Sequence, residues 1–156
     1  CVLSLPLAAT ACTLGKGSQP PGPAGGVAIS PVEYGPNANV PKDAVNKCHF
    51  EVELPKALEA EVGGAKLNGP GSNTLSMTIV RMTGGTPDWQ GEHGVIVEGE
   101  YSPAEGESKK FRIKRSAYGG AIGGMSGVCT GLDKVAEQIA IDIAVWLEDP
   151  KDTKRL

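Results

Sequence analysis

Thr74-Leu75-Ser76-Met77-Thr78-Ile79-Val80-Arg81-Met82-Thr83 is the stretch on which the fold turns. Leu75, Met77 and Ile79 alternate with Ser76, Thr78 and Val80, and a period of two places the first set on one face of a half-buried strand. A second strand is expected from Gly94 to Tyr101, with Val95, Val97 and Tyr101 on one side and Glu98 and Glu100 on the other. A third, Lys109 to Ala117, turns Phe111 and Ile113 inward and Lys110, Arg112 and Lys114 outward. A turn at Pro103-Ala104-Glu105-Gly106 makes these two a hairpin. A symmetric register then sets Glu100 opposite Lys110 and Glu98 opposite Arg112, each pair worth a few tenths of a kcal/mol up to about 1.

Further along, the period changes. Leu132, Val135, Ala136, Ile139, Ala140, Ile143, Trp146 and Leu147 recur at spacings of three and four and form one apolar stripe, which predicts a helix ended by Pro150. Thr130 with Asp133 three residues on reads as its capping box. Its polar face carries Asp133, Glu137, Asp142 and Glu148 and little basic charge, which suits core packing rather than a membrane surface. From Asp43 to Val62 both periods compete. A helix kinked or divided at Pro55 is preferred, because proline removes a backbone donor and crowds the preceding turn. The expectation is therefore an α+β two-layer sandwich in the order α-β-β-β-α, a three-stranded antiparallel meander covered on one face by two helices.

Catalytic chemistry has little foothold. The chain has two histidines, His49 and His93, isolated from each other and from any zinc spacing, and it carries no Gly-x-Ser-x-Gly elbow. Neither an enzyme, a metal nor a cofactor is expected, and the net charge of −3 announces no nucleic-acid surface. Gly119-Gly120-Ala121-Ile122-Gly123-Gly124-Met125-Ser126-Gly127 lacks the Gly-Lys-Ser/Thr ending of a phosphate loop. It is read either as a crossover or as a partner-binding loop built on Gly119, Gly120, Ile122, Gly123, Gly124 and Met125, with Ile122 and Met125 exposed.

Leu5-Pro6-Leu7-Ala8-Ala9-Thr10-Ala11-Cys12 closes an apolar run on small residues and a cysteine, and resembles the lipobox of bacterial lipoproteins. The resemblance implies that residues 1–11 are the end of a truncated signal peptide, that Cys12 is lipidated, and that Thr13 directs the protein to the outer membrane, facing the periplasm. Residues 12–41, rich in Gly, Pro, Ser and Asn, are read as anchor and flexible tether, spanning on the order of 30 Å as a coil and at most about 90 Å extended. Residues 42–150 then form one domain and 151–156 a polar tail. With Cys1 in the signal and Cys12 lipidated, Cys48 and Cys129 remain as a disulfide pair in an oxidising compartment.

The block from Gly123 to Leu147 resembles the C-termini of small, poorly characterised proteobacterial envelope lipoproteins, and more loosely those of transporter auxiliary lipoproteins. That implies a non-enzymatic accessory protein anchored to the membrane by its lipid and bound to another envelope protein. The alternative is a small-molecule or lipid carrier, with a cavity between sheet and helices lined by Met77, Ile79, Val97 and Ile143.

Overall fold

A computed structural model describes residues 22–84, 91–118 and 124–153. Its elements are β1 (Val27–Ile29), β2 (Glu33–Asn39), α1 (Lys42–Cys48), α2 (Phe50–Glu61), β3 (Ala65–Leu67), β4 (Asn73–Thr83), β5 (Glu92–Ser102), β6 (Lys109–Tyr118) and α3 (Met125–Glu148). The three strands read from alternation are β4, β5 and β6, paired antiparallel with Glu98 opposite Arg112 and Glu100 opposite Lys110.

The meander under two helices is nevertheless corrected: among the described residues the sheet has six strands, it is mixed, and three helices accompany it. The order is β3-β1-β4-β5-β6, and β2 continues along β4 beyond β1. Both β1 and β2 run parallel to β4, with Val27 opposite Asn73 and Tyr34 opposite Ile79. Residues 27–39, assigned by composition to the tether, are thus part of the sheet. Their signal is weak because Val27-Ala28-Ile29 is too short to display a period. What holds it is burial of Val27 and Ile29 on the core face, with β3 and β4 supplying the backbone partners.

The helices also differ in their boundaries. The division falls at His49, whose φ of 49° and ψ of 46° are left-handed, while α2 carries Pro55 within it. Cys48 and Phe50 are both buried. Two residues apart on one helix they would lie about 200° around the axis, so a left-handed residue between them lets both face the core. At the other end, α3 begins at Met125, five residues before the expected cap, and Thr130 lies inside it with its hydroxyl donating to the Ser126 carbonyl at 3.0 Å. The extra turn carries Val128 and Cys129 onto the core. The expected stripe of α3 is buried throughout.

Cys48 and Cys129 form a disulfide, with Cα atoms 5.0 Å apart, that ties α1 to the first turns of α3. The tail expected from residue 151 packs onto β6 at its start. The Lys110 N–H donates to Asp152 Oδ1 at 2.9 Å, and the Thr153 N–H to the Lys110 carbonyl at 3.0 Å. Trp146 holds it from the other side, its indole N–H donating to the Lys151 carbonyl, its ring edge-on to Phe111 at 4.9 Å between centroids.

Candidate binding surface on the outer face of the sheet

The helices cover one face of the sheet, and the other is open. On that outer face the pairing of β4, β5 and β6 sets side chains in transverse rows: Ser76, Glu100 and Lys110; Thr78, Glu98 and Arg112; Arg81, Ile96 and Lys114; Thr83, Gly94 and Ser116. A bulge at Val80 shifts the register between Ile79 and Arg81, which brings Arg81 onto the outer face. Lys110 pairs with Glu100 at 3.7 Å, and Arg112 pairs with Glu98.

Above the first two rows β2 arches away. Tyr34 pairs with Ile79 and Asn39 with Arg81, so five steps of β2 span two of β4, and residues 35–38 stand out from the sheet. The arch and the rows enclose an open groove of about 610 Å³ with Ser76, Thr78, Glu98, Glu100 and Lys110 on its walls. Its charges are paired, and the Ser76 hydroxyl faces the Glu100 carbonyl at 3.4 Å. Among the described residues the groove's carboxylates, Glu98 and Glu100, are held by Arg112 and Lys110. The groove can offer hydrogen bonds to an extended polar segment.

A second polar cluster joins β2 to α2. The Tyr34 hydroxyl donates to Glu51 Oε2 at 2.6 Å, and His49 Nδ1 lies 3.6 Å from Glu51 Oε1. Burial, then the hydrogen bond to Glu51 and its charge, push the Tyr34 phenol well above its ordinary range, so it stays a neutral donor. The neighbouring Cys48 is bonded to Cys129 and is no nucleophile. His93 is buried with Nδ1 3.0 Å from the Gly84 carbonyl.

Between α2 and α3, partial burial followed by the charges of Glu53 and Glu137 raises the Asp133 carboxyl above its usual value, against the opposing pull of Lys56. Among the described residues no group of three or more His, Cys, Asp or Glu side chains is arranged to hold a metal ion.

Cys12 and Gly119, Gly120, Ile122 and Gly123 lie outside the described residues. Gly124 precedes α3 with a φ of 53° and is exposed. Met125, expected to be exposed, is partly buried against the core, because it opens α3 rather than belonging to a loop. Met77, Ile79, Val97 and Ile143, proposed to line a carrier cavity, are each at most 3% exposed and pack into the core itself. Alternation and stripe place these four on facing surfaces, and only packing decides whether a gap remains between them. Sequence reading missed the groove, because the arch of β2 depends on a parallel partner about 45 residues away.

No family model matches the chain, and no curated protein matches it in sequence. Solved structures do share its fold. One uncharacterised protein is 14% identical at a TM-score of 0.55, the alignment covering 77% of this chain and 90% of that one. A protein from Xanthomonas campestris is 11% identical at 0.50, covering 81% and 85%. A minor lipoprotein from Acinetobacter baumannii aligns at 0.38 with 15% identity, covering 76% and 92%, a likeness too distant to support an argument. No described helix is long and apolar enough to cross a membrane. The chain thus shares its α+β fold with the uncharacterised protein and with the Xanthomonas campestris protein.

Proposed function

We propose that this protein is an envelope lipoprotein, anchored through a lipid on Cys12 to the periplasmic side of the outer membrane, whose body binds another envelope protein and carries out no catalysis. The observation that carries the reading is the sequence Ala9-Thr10-Ala11-Cys12 ahead of a polar, Gly/Pro-containing segment. The sealed core supports binding at the surface over carriage of a ligand inside. Gly22, ten residues after Cys12, lies against Gly63 of the folded body. Ten peptide steps reach at most about 35 Å, so the body works close to the membrane. Its outer sheet face and the segment before α3 are the contact surfaces.

Fractionation of cells expressing the chain with its complete leader tests the anchor. The native protein is expected in the outer-membrane fraction with acyl chains on Cys12, and Cys12→Ser in the soluble periplasmic fraction. Equal fractionation of the two forms, or a Cys12 without acyl chains, rejects the anchoring. Crosslinking in intact cells tests the partner: a stoichiometric envelope protein is expected, and a correctly anchored, folded protein that captures none rejects the accessory role.

A further inference from the structure

Each of the first two rows on the outer face is electrically closed: a hydroxyl from β4, a carboxylate from β5, a cation from β6. The third row breaks the pattern twice. Ile96 stands where the carboxylate would be, and β4 contributes Arg81 in place of a hydroxyl, so Arg81 and Lys114 flank an apolar side chain across two strand spacings, about 10 Å. Neither cation makes an ion pair among the described residues. The carboxylates on either side are engaged, Glu98 by Arg112 and Glu92 by the Ser116 hydroxyl.

The same row borders a concavity of about 190 Å³, with Arg81 and Lys114 at its rim and Ile96, Gly94 and Thr83 below. Gly94 keeps it open. A Cβ there would come within 2.8 Å of Thr83 Oγ1.

We infer that Arg81 and Lys114 form a binding site for a phosphate group. The guanidinium presents a planar fork that matches two phosphate oxygens, and the ammonium adds a point charge from the opposite side. The row holds two positive charges and no acceptor side chain, so it favours an anion over a cation or a neutral ligand. A small soluble phosphate and a phospholipid headgroup share this chemistry. The inference stands apart from the anchoring reading, since it rests on described residues of the sheet alone.

Amide NMR of the full chain carrying Cys12→Ser, titrated with inorganic phosphate at constant ionic strength, tests it. Saturable shifts are expected at Gly94, Ile96 and Lys114, weakened at least about tenfold in R81Q/K114Q, where two charge-assisted contacts are lost. K134Q, which removes an exposed cation on α3 away from the outer face of the sheet, is expected to bind as the parent does. Shifts that rise linearly with phosphate, or that persist in the double variant while its spectrum shows an intact fold, overturn the site. The single variants R81Q and K114Q, each expected to bind with intermediate affinity, serve if the double variant fails to fold, and parental affinity in both overturns it as well. Sedimentation with vesicles of phosphatidylcholine alone or mixed with phosphatidylglycerol separates the sources. Sedimentation only with the anionic vesicles, lost in R81Q/K114Q, assigns the site to a lipid headgroup, whereas saturable phosphate binding without sedimentation assigns it to a soluble phosphate.

Discussion

Asn73 is a buried polar residue whose side chain is fully used. Its amide nitrogen donates to the Ala24 and Gly26 carbonyls at 3.0 and 2.8 Å, and its oxygen accepts the Ala104 N–H at 3.1 Å. It pins the chain entering β1 to the turn between β5 and β6. Nothing in the local sequence marks it, because its partners are up to 49 residues away. Gly99 is a comparable case on the core side of β5. The Phe111 ring lies over it, and a Cβ at this position would fall 2.3 Å from Phe111 Cζ and 2.7 Å from the Ser76 carbonyl. Phe111 in turn packs against Trp146, so it has little room to retreat. Gly99→Ala is expected to destabilise the protein by about 1–3 kcal/mol, the usual cost of overpacking a filled core, read as a lower denaturation midpoint in guanidinium. An unchanged midpoint would show that the ring moves freely.

At the scale of elements, α3 and the strands β4 to β6 are the parts a local period specifies. Each is long enough to repeat its pattern several times, and each buries the face its pattern names. Boundaries are another matter. The break at His49 and the early start of α3 both serve residues that must reach the core, Cys48, Phe50, Val128 and Cys129, and that requirement comes from packing. The disulfide closes a loop across a sequence separation of 81 and joins α1, a helix of seven residues, to α3. Removing it by Cys48→Ala with Cys129→Ala is expected to cost about 2–5 kcal/mol in denaturant unfolding. The far-UV spectrum should stay near that of the parent, because α2, α3 and the sheet remain packed. Loss of the helical signal would mean that the bond is needed for the helices to form.

For the whole molecule the decisive feature is the broken parallel edge that β1 and β2 lay along β4. Among the described residues β3 pairs only with β1, so it too depends on that edge. A chain beginning at Pro41, which keeps every element of the expected 42–150 domain, would lose buried Val27, Ile29 and Val32 and leave β3 and one side of β4 unpaired. Such a chain is expected to aggregate or to unfold without a cooperative transition, checked by thermal unfolding and amide NMR dispersion. Cooperative unfolding at the parental temperature would make β1 and β2 dispensable.

The sequence by itself determined three antiparallel strands, the register of the β5–β6 hairpin and the apolar stripe of α3, because each depends on neighbours within a few residues or across one hairpin. The proposed anchor at Cys12 rests on the same local range, a lipobox-like run of eight residues. Only the tertiary structure decided that the sheet is mixed, with six strands among the described residues, that Val27–Ile29 and Glu33–Asn39 belong to it, and that Arg81 and Lys114 face each other across Ile96. The physical reason is one of range. A short strand such as Val27–Ile29 carries too few side chains to show a period, and what stabilises it is a set of backbone partners supplied by chain more than 35 residues away.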